Sequence, residues 1–359
     1  MKDQFQCAAE HILSKARLWV NNRIHYPALD GIRAIAALAV VGFHARMDGA
    51  LGGFIGVDIF FVLSGYLITH ALRSELQIHG MIDLKSFFVR RIARLWPALV
   101  FVTSVVVLLG AVYWSHLRPD QEFLLSVFYL SSYSKAIFDA PDFMQHTWSL
   151  SVEVYFYLAW PILIIYSRGL SDRHLLIILM VIFVIATGWR FASIHTAEWQ
   201  AVYYRADTRL SGLVLGGVLA TLGPQKMKQS SSCGLIALII LIAAAAALRW
   251  GSPISLSAGG FIAEIGAFAL ILAALNSADR LQPFLTSWPM TSLGLYSYSL
   301  YLWHYPIIRL LRDFDMQGGR MMVITLLISI PIAALTYHAI ERPFIRWAKT
   351  SKRRLAHQV

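Results

Sequence analysis

Cysteine, charge and internal repetition are what this chain has least of. It carries 2 cysteines in 359 residues, Cys7 and Cys233, so no disulfide framework is available. Charged residues make up 14%, where a soluble domain has about 25%. There is no CxxC pair of the metal-binding kind, no phosphate-binding glycine loop, no low-complexity tract and no clear internal repeat. These absences exclude a disulfide-stapled secreted domain, a disordered chain, an ordinary soluble enzyme and a solenoid. They also leave no expectation of a resident metal.

What the chain has is apolar length, with 57% of its residues hydrophobic. Stretches of about 18–22 apolar residues start near 28, 54, 96, 147, 174, 206, 234, 256, 291 and 321. The expected fold is all-α: a polytopic transmembrane helical bundle of about ten spans, embedded in a lipid bilayer. The stretch at 206–223 is the weakest, because it holds Asp207, Arg209 and several glycines. Glycine-rich 45–53 reads as a tight hairpin between the first two spans. Residues 114–146 form the longest connection, with 121–131 as an interfacial or re-entrant piece.

The 31 Lys+Arg against 20 Asp+Glu give a net charge of +11. In a membrane chain this is topology signal rather than a nucleic-acid partner. With the N-terminus in the cytoplasm, most Lys+Arg fall in the N-terminal region, 73–96, 167–174, 224–233, 277–290 and the segment from 342. An even span count returns the C-terminus to that side, so both termini are expected to be cytoplasmic. Cys7 and Cys233 then share a reducing compartment, and no disulfide is expected. The chain divides into a cytoplasmic segment 1–26, a membrane domain 27–345 and a basic tail 346–359. Segment 1–26 lacks the apolar core and small-residue cleavage site of a removable signal peptide. Ile12, Ala16, Leu18 and Trp19 beside Lys15, Arg17 and Arg23 suit an interfacial helix; a polar leader is the alternative.

Ionisable residues inside spans are costly, so they are candidates for function or for buried pairs that lock helices. Span one, YPALDGIRAIAALAVVGFHARMDG, holds Arg33 and His44 eleven residues apart. That spacing puts them on one face, separated by roughly 16 Å along the axis. Asp30, three residues before Arg33, is placed to pair with it. Alternating span directions bring Asp58, Glu153, Asp207, Arg209 and His304 to the depth of His44. At the other end, FFVRRIARLWP gathers Arg90, Arg91 and Arg94 within about one turn. That cluster suits phosphate oxygens of a polyanionic cytosolic donor, or a lipid-headgroup anchor. Trp96, Trp114, Trp148, Trp288 and Trp303 sit near span ends as an aromatic belt would. Outer aromatics, Tyr113, Trp148, Tyr203 and Tyr204, are also placed to stack on a sugar.

These residues lie in stretches that resemble the membrane acyltransferase-3 family, bacterial integral-membrane O-acyltransferases of cell-surface and exported carbohydrates. The similar pieces are LDGIRAIAALAVVGFH, GVDIFFVLSGYLIT, FFVRRIARLWP, TWSLSVEVYFY and YSLYLWHYP. They occur in the family's order and span most of 27–345. The resemblance implies a ten-span fold in the bacterial inner membrane, an acyl-CoA donor reached from the cytoplasm and an essential Arg33/His44 pair. Some relatives carry a fused extracytoplasmic esterase-like domain, which is not expected in a chain ending at Val359.

The chemistry expected from that resemblance is transfer of an acyl group, acetyl by default and succinyl as an alternative, to a sugar hydroxyl. The acceptor would be a carbohydrate or lipid-linked sugar. Arg90, Arg91 and Arg94, with Arg33 further up, would hold the coenzyme A phosphates. His44 would be the general base, oriented by Asp58 or Glu153. His304 or Arg209 would stabilise the oxyanion. Asp207, Arg209 and Trp148 would contact the acceptor. A covalent acyl-histidine or acyl-serine, on Ser64 or Ser149, is the competing route. The competing functions are a transporter, the same chemistry on a non-polysaccharide acceptor, and a non-catalytic scaffold.

Overall fold

A computed structural model describes residues 26–224, 227 and 230–356, with side chains to Thr350. The expected N-terminal interfacial helix, Cys7 and the side chains of the basic tail past Thr350 lie outside the described residues. All regular structure among the described residues is helical.

Helix α1 (Pro27–His44) opens on a proline, has Asp30 in its first turn and closes on His44. Each of the three suits its position in the helix. A turn and a short 3-10 segment, Gly53–Ile55, reverse the chain into α2 (Gly56–His79). α2 stops at Gly80, whose φ of +71° is a conformation glycine takes without strain. α3 (Leu84–Tyr113) starts at Asp83, whose carboxylate accepts the Ser86 N–H at 2.9 Å. The long connection then holds α4 (Pro119–Val127), α5 (Ser131–Phe138) and a 3-10 turn, Gln145–Thr147. Next come α6 (Trp148–Tyr166), α7 (Asp172–Thr196), α8 (Trp199–Tyr204), α9 (Leu210–Leu222) and α10 (Cys233–Ala247). The remaining helices are α11 (Gly260–Ala274), α12 (Gln282–Leu285), α13 (Trp288–Leu295), α14 (Ser297–Arg312), α15 (Gly318–Thr336) and α16 (Arg342–Ala356).

Among the described residues, seven segments are long and apolar enough to cross a membrane: Pro27–His44, Gly53–His79, Leu84–Tyr113, Gln145–Tyr166, Asp172–Thr196, Ser255–Ala274 and Gly318–Thr350. They correspond to the first five, the eighth and the tenth of the expected spans. The sixth and seventh are apolar helices of 13 and 15 residues. The ninth is divided at Tyr296 between α13 and α14. The sixth is short because Arg205–Thr208 precede the helix as a turn, where their polar groups bond to one another instead of entering an apolar run.

Large apolar side chains such as Leu108, Val184, Leu327 and Leu335 face outward, a surface suited to lipid rather than water. α2 is the central helix and packs on α1, α6, α9 and α11. Its approach to α9 depends on two glycines. A Cβ on Gly65 would lie 1.9 Å from the Leu213 carbonyl oxygen, and one on Gly216 would lie 2.0 Å from that of Val62. Small residues permit such backbone contact between membrane helices. It is this close pairing that brings Asp58 of α2 within reach of the chain just before α9.

Candidate active site

The C-terminal end of α1 carries His44 against α14. Its Nδ1 is 3.0 Å from Nε2 of His304, which is fully buried. Nδ1 of His304 lies 2.6 Å from the Tyr301 carbonyl oxygen. A carbonyl oxygen only accepts, so His304 carries its proton on Nδ1 and presents Nε2 as an acceptor. His44 must then donate from Nδ1, which leaves its Nε2 as a lone pair. That nitrogen has no hydrogen-bond partner among the described residues. Arg312 donates to the His44 carbonyl at 2.8 Å and ties the end of α1 to α14.

A third imidazole completes the group. His146, in the 3-10 turn before α6, has its ring centroid 5.4 Å from that of His304. It is buried, and neither ring nitrogen meets hydrogen-bond geometry with a neighbour. The segment leading to it is held by Glu122, whose carboxylate accepts the N–H groups of Asp142, Phe143 and Met144 at 2.7, 3.1 and 2.8 Å. His146 went unnoticed in the sequence, although it stands just before the TWSL motif at the depth assigned to His44.

His44 and His146 line a cavity of about 60 Å³, walled by Trp148, Tyr203, Tyr204, Trp250 and Phe54. Trp148, expected to contact the acceptor, lines the same cavity as His44. Arg209 stands behind this aromatic wall, with its guanidinium 4.9 Å from the Tyr203 ring centroid and 5.8 Å from that of Trp148. It does not line the cavity, so the expectation that it contacts acceptor or oxyanion is not met. Its partner is Asp58, at 2.7 Å.

Asp58 is therefore not the carboxylate that orients His44. It shares the depth of His44 but is spent on a buried ion pair. A second such pair, Arg190 with Glu264 at 2.7 Å, shares the Ser211 hydroxyl. Together the two pairs link α2, α7, α9 and α11. The desolvation cost of such charges is offset only while both partners are present.

Glu153 also lies away from His44. Five residues separate it from Trp148, a turn of about 140° around α6 and a drop of roughly 7.5 Å. It lines a second cavity of about 120 Å³ that also holds Arg33, Arg91 and Arg94. Arg33 pairs with Asp30 at 2.5 Å, as the i,i+3 spacing predicts. Tyr157 donates to Glu153 at 3.1 Å and meets the Ser64 hydroxyl at 2.8 Å. Arg90 does not join this basic group; it lies 3.6 Å from Glu75. The 100° step per residue turns it away from Arg91. The candidate nucleophiles are also engaged elsewhere: Ser149 Oγ is 2.7 Å from the Tyr301 hydroxyl, and neither it nor Ser64 bonds to an imidazole nitrogen.

Asp207, expected in the acceptor site, lies in the turn before α9 and outside both cavity linings. It accepts from Arg205 at 2.5 and 3.1 Å, from Trp189 at 2.6 Å and from Tyr133 at 3.2 Å. Burial works against its charge, but the Arg205 and Trp189 bonds prevail and hold its carboxyl below the usual value.

The sequence profile of a family described as "Acyltransferase domain" matches residues 26–338. The chain is 32% identical over 348 positions to the O-acetyltransferase OatA of Staphylococcus aureus (strain NCTC 8325 / PS 47), covering 89% of this chain and 57% of that protein. It is 32% identical over 351 positions to the peptidoglycan O-acetyltransferase OatA of Listeria monocytogenes, covering 90% and 56%. The figures for the putative peptidoglycan O-acetyltransferase YrhL of Bacillus subtilis are 32% over 348 positions, 89% and 55%. The chain thus spans little more than half the length of these relatives. No solved structure matches it.

Proposed function

The chain belongs to the membrane acyltransferase-3 family, and from that premise we propose that it moves an acyl group from cytosolic acyl-CoA to a hydroxyl of a cell-surface carbohydrate. Acetyl is the group that the relatives' names suggest, and a peptidoglycan sugar the acceptor that two of them suggest. The observation that carries the reading is the stacking of two cavities: a basic one holding Arg33, Arg91 and Arg94, and an aromatic one holding His44.

Coenzyme A phosphates would sit at the arginines, at the cytoplasmic end of the bundle. The pantetheine arm would reach toward His44, roughly 16 Å from Arg33 along α1. The acceptor sugar would lie against Trp148, Tyr203 and Trp250. His44 Nε2 takes the hydroxyl proton as the oxygen attacks the thioester carbonyl. The intermediate collapses, the ester forms, the C–S bond breaks, and the imidazolium returns its proton to the departing thiolate. His304 Nε2 stabilises the imidazolium through the His44 Nδ1–H, the role the sequence had given to a carboxylate. His146, which lines the same cavity, would donate to the developing oxyanion.

The test uses membrane vesicles open on both faces, supplied with acetyl-labelled acetyl-CoA and a mixture of peptidoglycan fragments and lipid-linked sugar precursors. Label should appear in a glycan and vanish with His44→Ala. Unchanged transfer by that variant overturns the base assignment. Consumption of neither acetyl-CoA nor succinyl-CoA by the wild type overturns the donor.

A further inference from the structure

The last turn of an α-helix leaves carbonyl groups without a partner in the helix itself. At the end of α1, two of them are taken up from elsewhere in the fold. The His44 carbonyl accepts from Arg312, the last residue of α14, at 2.8 Å. The Ala45 carbonyl accepts the N–H of Gly318, the first residue of α15, at 2.7 Å. Both ends of the α14–α15 connection are thus fastened to the end of α1, where the proposed base stands.

Arg312 reaches further than His44. Tyr305 precedes it by seven residues, close to two turns, so both stand on one face of α14. The guanidinium faces the Tyr305 hydroxyl, which also accepts from the side-chain amide of Gln145. A hydroxyl oxygen has two lone pairs and can accept both. Gln145 lines the aromatic cavity and adjoins His146 in the 3-10 turn. The Tyr305 ring packs against both imidazoles, its centroid 4.8 Å from that of His44 and 5.4 Å from that of His146. One cation therefore connects the three segments that carry His44, His146 and His304. Arg309, one turn earlier on α14, pairs instead with Asp142 at 2.9 Å.

We propose that Arg312 is a positioning residue for acyl transfer. Through the His44 carbonyl, Tyr305 and Gln145, it holds His44 and His146 in register with His304. This rests on the reading of His44 as the base. A guanidinium suits the task because its planar fork donates in two directions at once, and the carbonyl end of a helix favours a cation. Misplacing a reacting group by about 1 Å can cost roughly a hundredfold in rate. The tether therefore acts on the chemical step. Donor binding is remote from it, because Arg33 lies roughly 16 Å from His44 along α1.

The experiment measures kcat and KM for acetyl-CoA in vesicles for the wild-type chain, Arg312→Ala, Arg312→Lys and Tyr305→Phe. Each is assayed with and without methylguanidinium, and its thermal unfolding is followed in detergent. Arg312→Ala should lose roughly a hundredfold in kcat with KM nearly unchanged. Arg312→Lys, which keeps one charged donor, should recover part of the loss, and methylguanidinium should do the same for Arg312→Ala. Tyr305→Phe should lower kcat and leave KM alone. A folded Arg312→Ala with wild-type kcat overturns the proposal, as does a loss that neither lysine nor methylguanidinium relieves. Should Arg312→Ala fail to fold, wild-type kcat in both Arg312→Lys and Tyr305→Phe overturns it. Wild-type transfer that survives His44→Ala overturns the base assignment instead, and this inference falls with it.

Discussion

His304 accepts from His44 across 3.0 Å, and the Tyr301 carbonyl oxygen, 2.6 Å behind, decides which tautomer each ring adopts. One backbone oxygen on α14 thus leaves the basic nitrogen of a residue on α1 unprotonated. The arrangement resembles a catalytic dyad in which an imidazole stands where a carboxylate would. It avoids placing a negative charge in an apolar layer.

If His304 orients His44 and shares its proton, His304→Ala should lower the rate of acyl transfer by roughly a hundredfold. His304→Gln, whose amide oxygen can still accept from His44 Nδ1, should recover part of that loss. Turnover numbers of the two variants, measured at saturating donor, check this. Equal rates in both would show that the acceptor atom does not matter.

Arg91 and Arg94 line the basic cavity and Arg90 does not, so the three should separate in kinetics. Arg91→Ala should raise the KM for acetyl-CoA by about tenfold, the worth of one charged hydrogen bond, with a smaller change in kcat. Arg90→Ala should stay near wild type. A donor titration of each variant decides, and equal effects at all three would favour a diffuse surface field over a built site.

The Asp58–Arg209 pair is buried, with side chains 2% and 1% exposed. Arg209→Leu leaves a lone carboxylate behind the aromatic wall and should cost about 3–5 kcal/mol of stability. Asp58→Leu combined with Arg209→Leu should recover most of it. Thermal unfolding in detergent of the two single variants and the double variant gives the coupling. Additive losses would contradict the pairing.

Asp207 provides a pH test away from the chemistry. Its carboxyl is held below the ordinary 3.8 in the folded chain. A depressed carboxylate contributes stability in full above its unfolded value, and that contribution is lost as pH falls through the folded one. Wild type should therefore unfold at a higher temperature than Asp207→Asn at neutral pH. The gap should close as the pH is lowered into the acid range below 3.8. Transfer by Asp207→Asn at neutral pH should remain close to wild type. A strong loss would return Asp207 to the acceptor site.

Some of the site was legible in the sequence because helical geometry is local. The Asp30–Arg33 pair follows from i,i+3 spacing, and the shared face of Arg33 and His44 from eleven residues at 3.6 per turn. Depth was legible too, since alternating spans carry their polar residues to predictable levels, and His304 does meet His44. Azimuth was not. Asp58 and Arg209 turn to each other rather than to His44, because a helix can rotate about its axis without changing depth, and Glu153 lies further along α6, in the basic cavity. His146 and Trp250 escaped notice because they lie outside the long apolar runs, in the chain just before α6 and just after α10.

The sequence by itself determined that the chain is helical, apolar enough for a bilayer, and basic beside one end of its helices. Burying twenty-residue apolar stretches leaves few alternatives once every backbone group must be hydrogen-bonded internally. Only the tertiary structure decided which polar groups are spent on each other and which are left for chemistry. Glycines 65 and 216 let α2 and α9 touch, and that contact joins Asp58 to Arg209. His304, and not that carboxylate, stands within hydrogen-bond distance of His44. Contacts of this kind depend on how helices pack side by side, which no spacing along one chain specifies.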